Sequence, residues 1–104
     1  MFTFVELTPF ASVRDKYLDD SEFMALQLFL VEHPDAGDVI LYSGGCRKLR
    51  WAIEGRGKRG GLRVIYFLRL NPGQIVLVTM YTKNVRENIN PKLLMRLKEM
   101  FENG

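Results

Sequence analysis

A chain of 104 residues, 47% of them hydrophobic, fits one domain with a real core. The single cysteine, Cys46, excludes an internal disulfide and fits a reducing cytoplasm, and the lack of a Cys/His cluster argues against a structural zinc site. The net charge of +3 hides a strong asymmetry: residues 1–46 hold two basic and eight acidic side chains, residues 47–86 hold ten and one, and the remainder three of each. Such separation points to one face that meets an anionic partner, with two merely solvated faces as the plainer alternative.

The chain begins MFTFVELTPF, without the basic start and long apolar run of a signal peptide, and no stretch reaches the ~18 apolar residues of a membrane span. A cytoplasmic protein is expected. Phe2 to Glu6 alternates as a first strand. Thr8-Pro9 opens a helix, with the threonine as cap and the proline at the first helical position. Asp19, Asp20 and Ser21 interrupt it and offer a cap for a second helix, from about Glu22 to Glu32. Its apolar residues cover more than one face, so it is either largely buried or shared with a partner protein. Pro34 ends it, Pro34 to Asp38 reads as a turn, and Val39 to Leu41 as a short strand.

Two further strands follow. In the first, Leu49, Trp51 and Ile53 alternate with Lys48, Arg50 and Ala52; in the second, Arg63 to Leu70 is rich in Val, Ile, Tyr and Phe. Asn71-Pro72-Gly73 turns the chain into another strand, Ile75 to Tyr81, and Thr82 to Asn88 is a polar loop. Asn90-Pro91 caps a last helix whose Leu93, Leu94, Leu97, Met100 and Phe101 form one apolar stripe. Consecutive strands on short turns pair antiparallel. The order therefore predicts an α+β fold, residues 1–104, in which a mainly antiparallel sheet carries the helices on one face and leaves the other open.

The stretch from Arg47 to Leu70 holds eight basic residues against one acid, Glu54. It makes a plausible RNA platform. GRGKRG, at 55–60, has the letters of a dinucleotide-binding fingerprint, but the motif must open a helix and a strand follows here. The loop's cations, Arg56, Lys58 and Arg59, either contact phosphates or are solvated. His33, the only histidine, reads as a helix-terminal cation, and Cys46 as structural. Acids are nearly absent from 46–86, against a metal-carboxylate nuclease site. What remains is Lys48, Arg50, Arg63, Tyr66, Tyr81, Lys83 and Arg86. Cations around a scissile phosphate orient it, stabilise developing charge and protonate a leaving oxygen; the same groups also suit binding without cleavage.

These pieces resemble the RelE/HigB superfamily of bacterial toxins, in particular its HigB-like branch. The carrying residues are Gly37–Ile40, Gly44–Arg50, the GKRGG-x-R-x-I-Y run at 57–66, and Tyr81-Thr82-Lys83-Asn84. The resemblance implies a RelE-like fold, with the two N-terminal helices on one sheet face plus a C-terminal helix, and a metal-independent, cofactor-free mRNA endonuclease. Such toxins cut mRNA in the ribosomal A site by 2′-hydroxyl attack. A cognate antitoxin, often with a helix-turn-helix DNA-binding domain, neutralises them. Carried over by motif, Lys48, Arg50, Arg63 and Lys83 take the catalytic positions; the neighbouring Arg47, Arg56, Lys58, Arg59, Tyr66, Tyr81, Asn84 and Arg86 are the expected RNA contacts. The RelE-type tyrosine of the C-terminal segment is missing, since 86–90 reads Arg-Glu-Asn-Ile-Asn, and Tyr66 and Tyr81 are the candidates to replace it. A gyrase-poisoning toxin on the same fold and an inactive RNA- or partner-binding domain are the competing readings.

Overall fold

The computed structural model describes residues 2–52, 61–83 and 89–104. In chain order these form β1 (Thr3–Glu6), α1 (Thr8–Tyr17), α2 (Asp20–Glu32), β2 (Asp38–Val39), β3 (Arg47–Trp51), β4 (Leu62–Arg69), β5 (Gln74–Thr82) and α3 (Pro91–Asn103). The strands make one five-stranded sheet in the order β1-β5-β4-β3-β2. The three neighbouring pairs from β2 to β5 are antiparallel, whereas β1 runs parallel to β5, from Thr3 against Gln74 to Glu6 against Leu77. The architecture is α+β, as expected, with a mixed sheet that is mainly antiparallel.

The helix starts follow local chemistry. Asp19 builds a capping box: its carboxylate accepts from the Glu22 amide at 2.8 Å, and the Glu22 side chain accepts from the Asp19 amide at 2.8 Å. Two orphan donors of the first turn are thereby satisfied, and α2 begins two residues earlier than its apolar run indicates. Asn90 caps α3 by accepting from the Lys92 amide at 2.9 Å, with Pro91 in the first turn. The start of α1 differs from expectation. Its cap is Leu7, with no side-chain hydrogen bond, and Thr8 is already helical. The Leu7 amide donates to the Leu77 carbonyl at 2.9 Å, so sheet pairing holds the chain up to the residue where the helix starts.

β4 is buried from Leu62 to Phe67 without interruption. Because successive side chains point to opposite faces, both faces of the sheet are apolar here and both need cover. Leu62, Val64 and Tyr66 join Phe10, Leu18, Leu26 and Leu30 of the α1–α2 region in one cluster. Ile65 and Phe67 join Val76, Val78 and Leu94 in a second, with Leu97 and Phe101 packed against it. The helices therefore do not share one face, and the second face is not left open: α1 and α2 cover one side and α3 lies on the other. Only part of the expected α3 stripe packs, since Leu93 and Met100 are exposed.

The β2–β3 hairpin is tighter than predicted. Ile40 still donates to the Cys46 carbonyl at 2.8 Å, but Leu41 already belongs to the turn. That turn needs left-handed backbone, at Tyr42 (φ 63°), Gly44 (φ 80°) and Gly45 (φ 101°), which a continuing strand cannot supply. No described helix is long and apolar enough to cross a membrane.

Candidate RNA-facing site

Parity along β3 sorts its cations. Leu49 and Trp51 pack toward α1 and α2, which places Lys48 and Arg50 on the α3 side. On β4, Arg63 has the parity of Ile65 and Phe67 and shares their face. The register then aligns three side chains across three strands: Arg50 pairs with Arg63, and Arg63 with Tyr81. Directly opposite residues stand about 5 Å apart at Cβ, so this row places two guanidinium-bearing residues and a phenol side by side. Beside it, Lys48 pairs with Ile65 and Ile65 with Thr79. Lys83 is exposed and follows directly after β5.

Burial grades the row. Arg50 is exposed, while Arg63 keeps only 7% of its surface and Tyr81 only 5%. A guanidinium held at the sheet surface in a largely desolvated position acts more strongly on a neighbouring anion than one free in water. What the row brings together is a nearly buried guanidinium-bearing residue with a more exposed cation at its edge.

Arg47 and Tyr66 stand elsewhere. They are cross-strand partners on the α1–α2 face, and their polar groups are engaged with the loop after α2. The Tyr66 hydroxyl donates to the Pro34 carbonyl at 2.8 Å and accepts from the buried Gly37 amide at 2.9 Å. Arg47 donates to the carbonyls of Asp35 at 3.1 Å and Gly37 at 2.8 Å. Gly37 sits so close that an added Cβ would lie 3.0 Å from the Tyr66 ring. These two residues tie the 34–37 loop to the sheet, and the structure takes them out of the group around Arg63. Parity already carried this signal, because Tyr66 alternates with Arg63 and shares the face of Val64. Removing the Tyr66 hydroxyl with Tyr66→Phe strands the Gly37 amide, with an expected loss of about 1–3 kcal/mol in denaturant unfolding.

Arg56, Lys58, Arg59, Asn84 and Arg86 lie outside the described residues, as does Ile53. Two residues not singled out from the sequence belong to the same face. Thr79 joins the Lys48 row because a register shift at Ile65/Tyr66 brings it opposite Ile65. Arg69 follows Arg63 by parity and lies over the Phe101 ring of α3 at 5.5 Å, anchoring the far end of the face.

Cys46 is fully buried in the α3-side cluster, and its amide donates to the Ser43 hydroxyl at 3.0 Å. Burial pushes its thiol above the ordinary 9.0, opposed by the Ser43 hydrogen bond and by Lys98. Burial likewise raises Tyr66 above 10.0, against the Gly37 hydrogen bond and Arg47. Both groups hold their protons longer in the folded state than in the unfolded chain. The stability these two groups carry is therefore fully present below about pH 9 and falls as pH rises beyond it, with Tyr66 adding to the fall above pH 10. Urea midpoints measured between pH 7 and pH 11 test this, and Tyr66→Phe should flatten the upper part of the curve. His33 terminates α2 as its C-cap residue and packs on Phe29, with ring centroids 5.0 Å apart.

The model of the RelE toxin of the RelE/RelB toxin–antitoxin system matches residues 13–103. That span runs from α1 through all but the last residue of the chain and includes both basic strands. The helix count and arrangement described above are consistent with a RelE-like fold. A toxin role and a cognate antitoxin partner come with this family. The chain belongs to the RelE toxin family.

Proposed function

We propose that this toxin is a ribosome-dependent mRNA endonuclease that cuts the codon exposed in the A site and so stops translation. The observation that carries the reading is the in-register row Arg50–Arg63–Tyr81 with Lys48 beside it, all on the sheet face opposite α1 and α2. In the reaction, the ribose 2′-oxygen forms a bond to phosphorus as its proton passes to solvent water, and the bond from phosphorus to the 5′-oxygen breaks as that oxygen takes up a proton, leaving a 2′,3′-cyclic phosphate and a 5′-hydroxyl. Arg63 and Arg50 hold the non-bridging oxygens and stabilise the charge that builds on them. Lys48 and Lys83 flank the phosphate, and one ammonium protonates the departing oxygen. Tyr81, almost fully buried beside Arg63, supports that arginine from the neighbouring strand. Arg56, Lys58, Arg59, Asn84 and Arg86 extend the contact to neighbouring phosphates. The protein works in the cytoplasm as one domain, and its antitoxin carries a helix-turn-helix DNA-binding domain in the HigB-like arrangement.

The test is mRNA integrity in a cell-free translation reaction, with and without ribosomes, with new 5′ ends mapped by primer extension. Cuts within codons that appear only during translation are the expected result. Intact mRNA with normal translation would overturn the reading and direct attention to DNA gyrase, for which a supercoiling assay is decisive.

A further inference from the structure

α2 exposes one continuous face. At 100° per residue, Asp20, Ser21, Met24, Ala25, Leu28, Val31 and Glu32 fall on one side of the helix, and all seven are exposed. Met24 is 58%, Leu28 60% and Val31 41% exposed, while Leu26 and Leu30 of the same helix are buried in the core. Three large apolar side chains at spacing i, i+4, i+7 form a stripe that the fold does not use. An acid bounds it at each end, and α2 carries no basic residue. Small residues, Ser21 and Ala25, line its flank and permit close approach of another backbone.

The charges decide what fits. In a two-fold antiparallel pairing of two copies of this chain, Met24 would meet Leu28 of the other copy, which is favourable. The same register sets Asp20 against Glu32 twice, and like charges face to face disfavour it. A helix with an apolar centre and a basic residue at each end, about 18 Å apart, satisfies both the stripe and its acidic ends. The stripe also lies on the sheet side opposite Arg50 and Arg63, so its occupant does not compete with RNA for the same surface.

We propose that the exposed Met24–Leu28–Val31 stripe of α2 is the docking site for an amphipathic, basic-ended helix of the antitoxin, which therefore grips the toxin on the face away from its RNA-facing row. The inference takes the antitoxin from the family and rests on the nuclease reading only for the identity of the row that stays uncovered.

The experiment is calorimetric titration of the purified toxin with its cognate antitoxin, comparing wild type with Leu28→Asp, the double variant Asp20→Lys/Glu32→Lys, and Arg50→Ala. Leu28 is solvent-exposed, so circular dichroism of Leu28→Asp should match wild type; Met24→Glu serves as a second probe of the same stripe. The expected result is at least a tenfold rise in Kd for Leu28→Asp and Met24→Glu, a severalfold rise for the charge reversal, and no change for Arg50→Ala. Unchanged affinity in both stripe variants overturns the proposal, as does a wild-type dimer in light scattering that Leu28→Asp abolishes. Loss of affinity in Arg50→Ala alone would place the antitoxin on the opposite face. Cleavage is read separately: Leu28→Asp should cut mRNA as wild type does while escaping the antitoxin. Failure of the wild type to cut would overturn the nuclease reading and leave the binding result standing.

Discussion

Replacing Arg63 with alanine is expected to lower ribosome-dependent mRNA cleavage about 10²–10³-fold, the range seen when one preorganised donor is taken from a developing oxyanion. Arg63 is the central member of the row, flanked in register by Arg50 on β3 and Tyr81 on β5, and it is 7% exposed. A side chain so enclosed has little freedom to lose on meeting an anion, and on the proposed reading that is its advantage over an exposed cation. Arg50→Ala should cost less, because Arg50 is exposed and its charge is screened by solvent. Arg63→Lys keeps the charge and much of the stem but not the planar fork, and should fall between wild type and Arg63→Ala. A buried side chain carries packing as well as charge, so cleavage is compared at matched folded fraction, established by urea unfolding. Cleavage by folded Arg63→Ala at the wild-type rate would remove Arg63 from the site.

The second large effect concerns the backbone that holds this row. Gly61 immediately precedes β4 with φ 51°, and a Cβ there would lie 2.7 Å from the Trp51 carbonyl oxygen. Gly61→Ala meets two penalties at once: a left-handed conformation that L-residues resist, and a clash with main chain that has no rotamer to escape into. Together these should cost about 2–4 kcal/mol and loosen the end of the β3–β4 ladder where Trp51 pairs with Leu62. Gly45→Ala provides the comparison. Its φ is 101° but a Cβ there would have nothing within 4 Å, so it bears the backbone penalty without the clash. Denaturant unfolding should rank Gly61→Ala well below Gly45→Ala in stability. Arg50 stands one residue from Trp51 and Arg63 one from Leu62, so Gly61→Ala should also reduce cleavage beyond what the lost folded fraction explains. Equal unfolding midpoints for the two variants would show that the β3–β4 junction yields without strain.

Local chemistry determined much of this protein in advance. The capping residue Asp19, the breaker Pro34, the turn at 71–73 and the cap at Asn90 are short-range signals, because each satisfies or removes a backbone group within a few residues. Strand parity is also local: Leu49 and Trp51 against Lys48 and Arg50 separates an apolar from a basic face without knowledge of any partner strand. The same parity is available to separate Tyr66 from Arg63, and the apolar residues at both parities of β4 to show that both faces need cover, although the element order reads as leaving one face open. Tertiary structure decided what depends on residues far apart in sequence. The parallel pairing of β1 with β5 joins segments 71 residues apart in sequence, from Thr3 to Gln74, and no feature of Thr3–Glu6 specifies it. The register shift at Ile65/Tyr66 brought Thr79 into the basic face, and a one-residue slip of that kind leaves no mark in an alternating pattern. That Arg47 and Tyr66 tie down the 34–37 loop, apart from Arg63, depends on the fold carrying that loop back over the sheet. The apolar excess of α2 was visible from its composition, but which residues it left exposed was settled by packing: the helix has one inward face, and Met24, Leu28 and Val31 lie on the other.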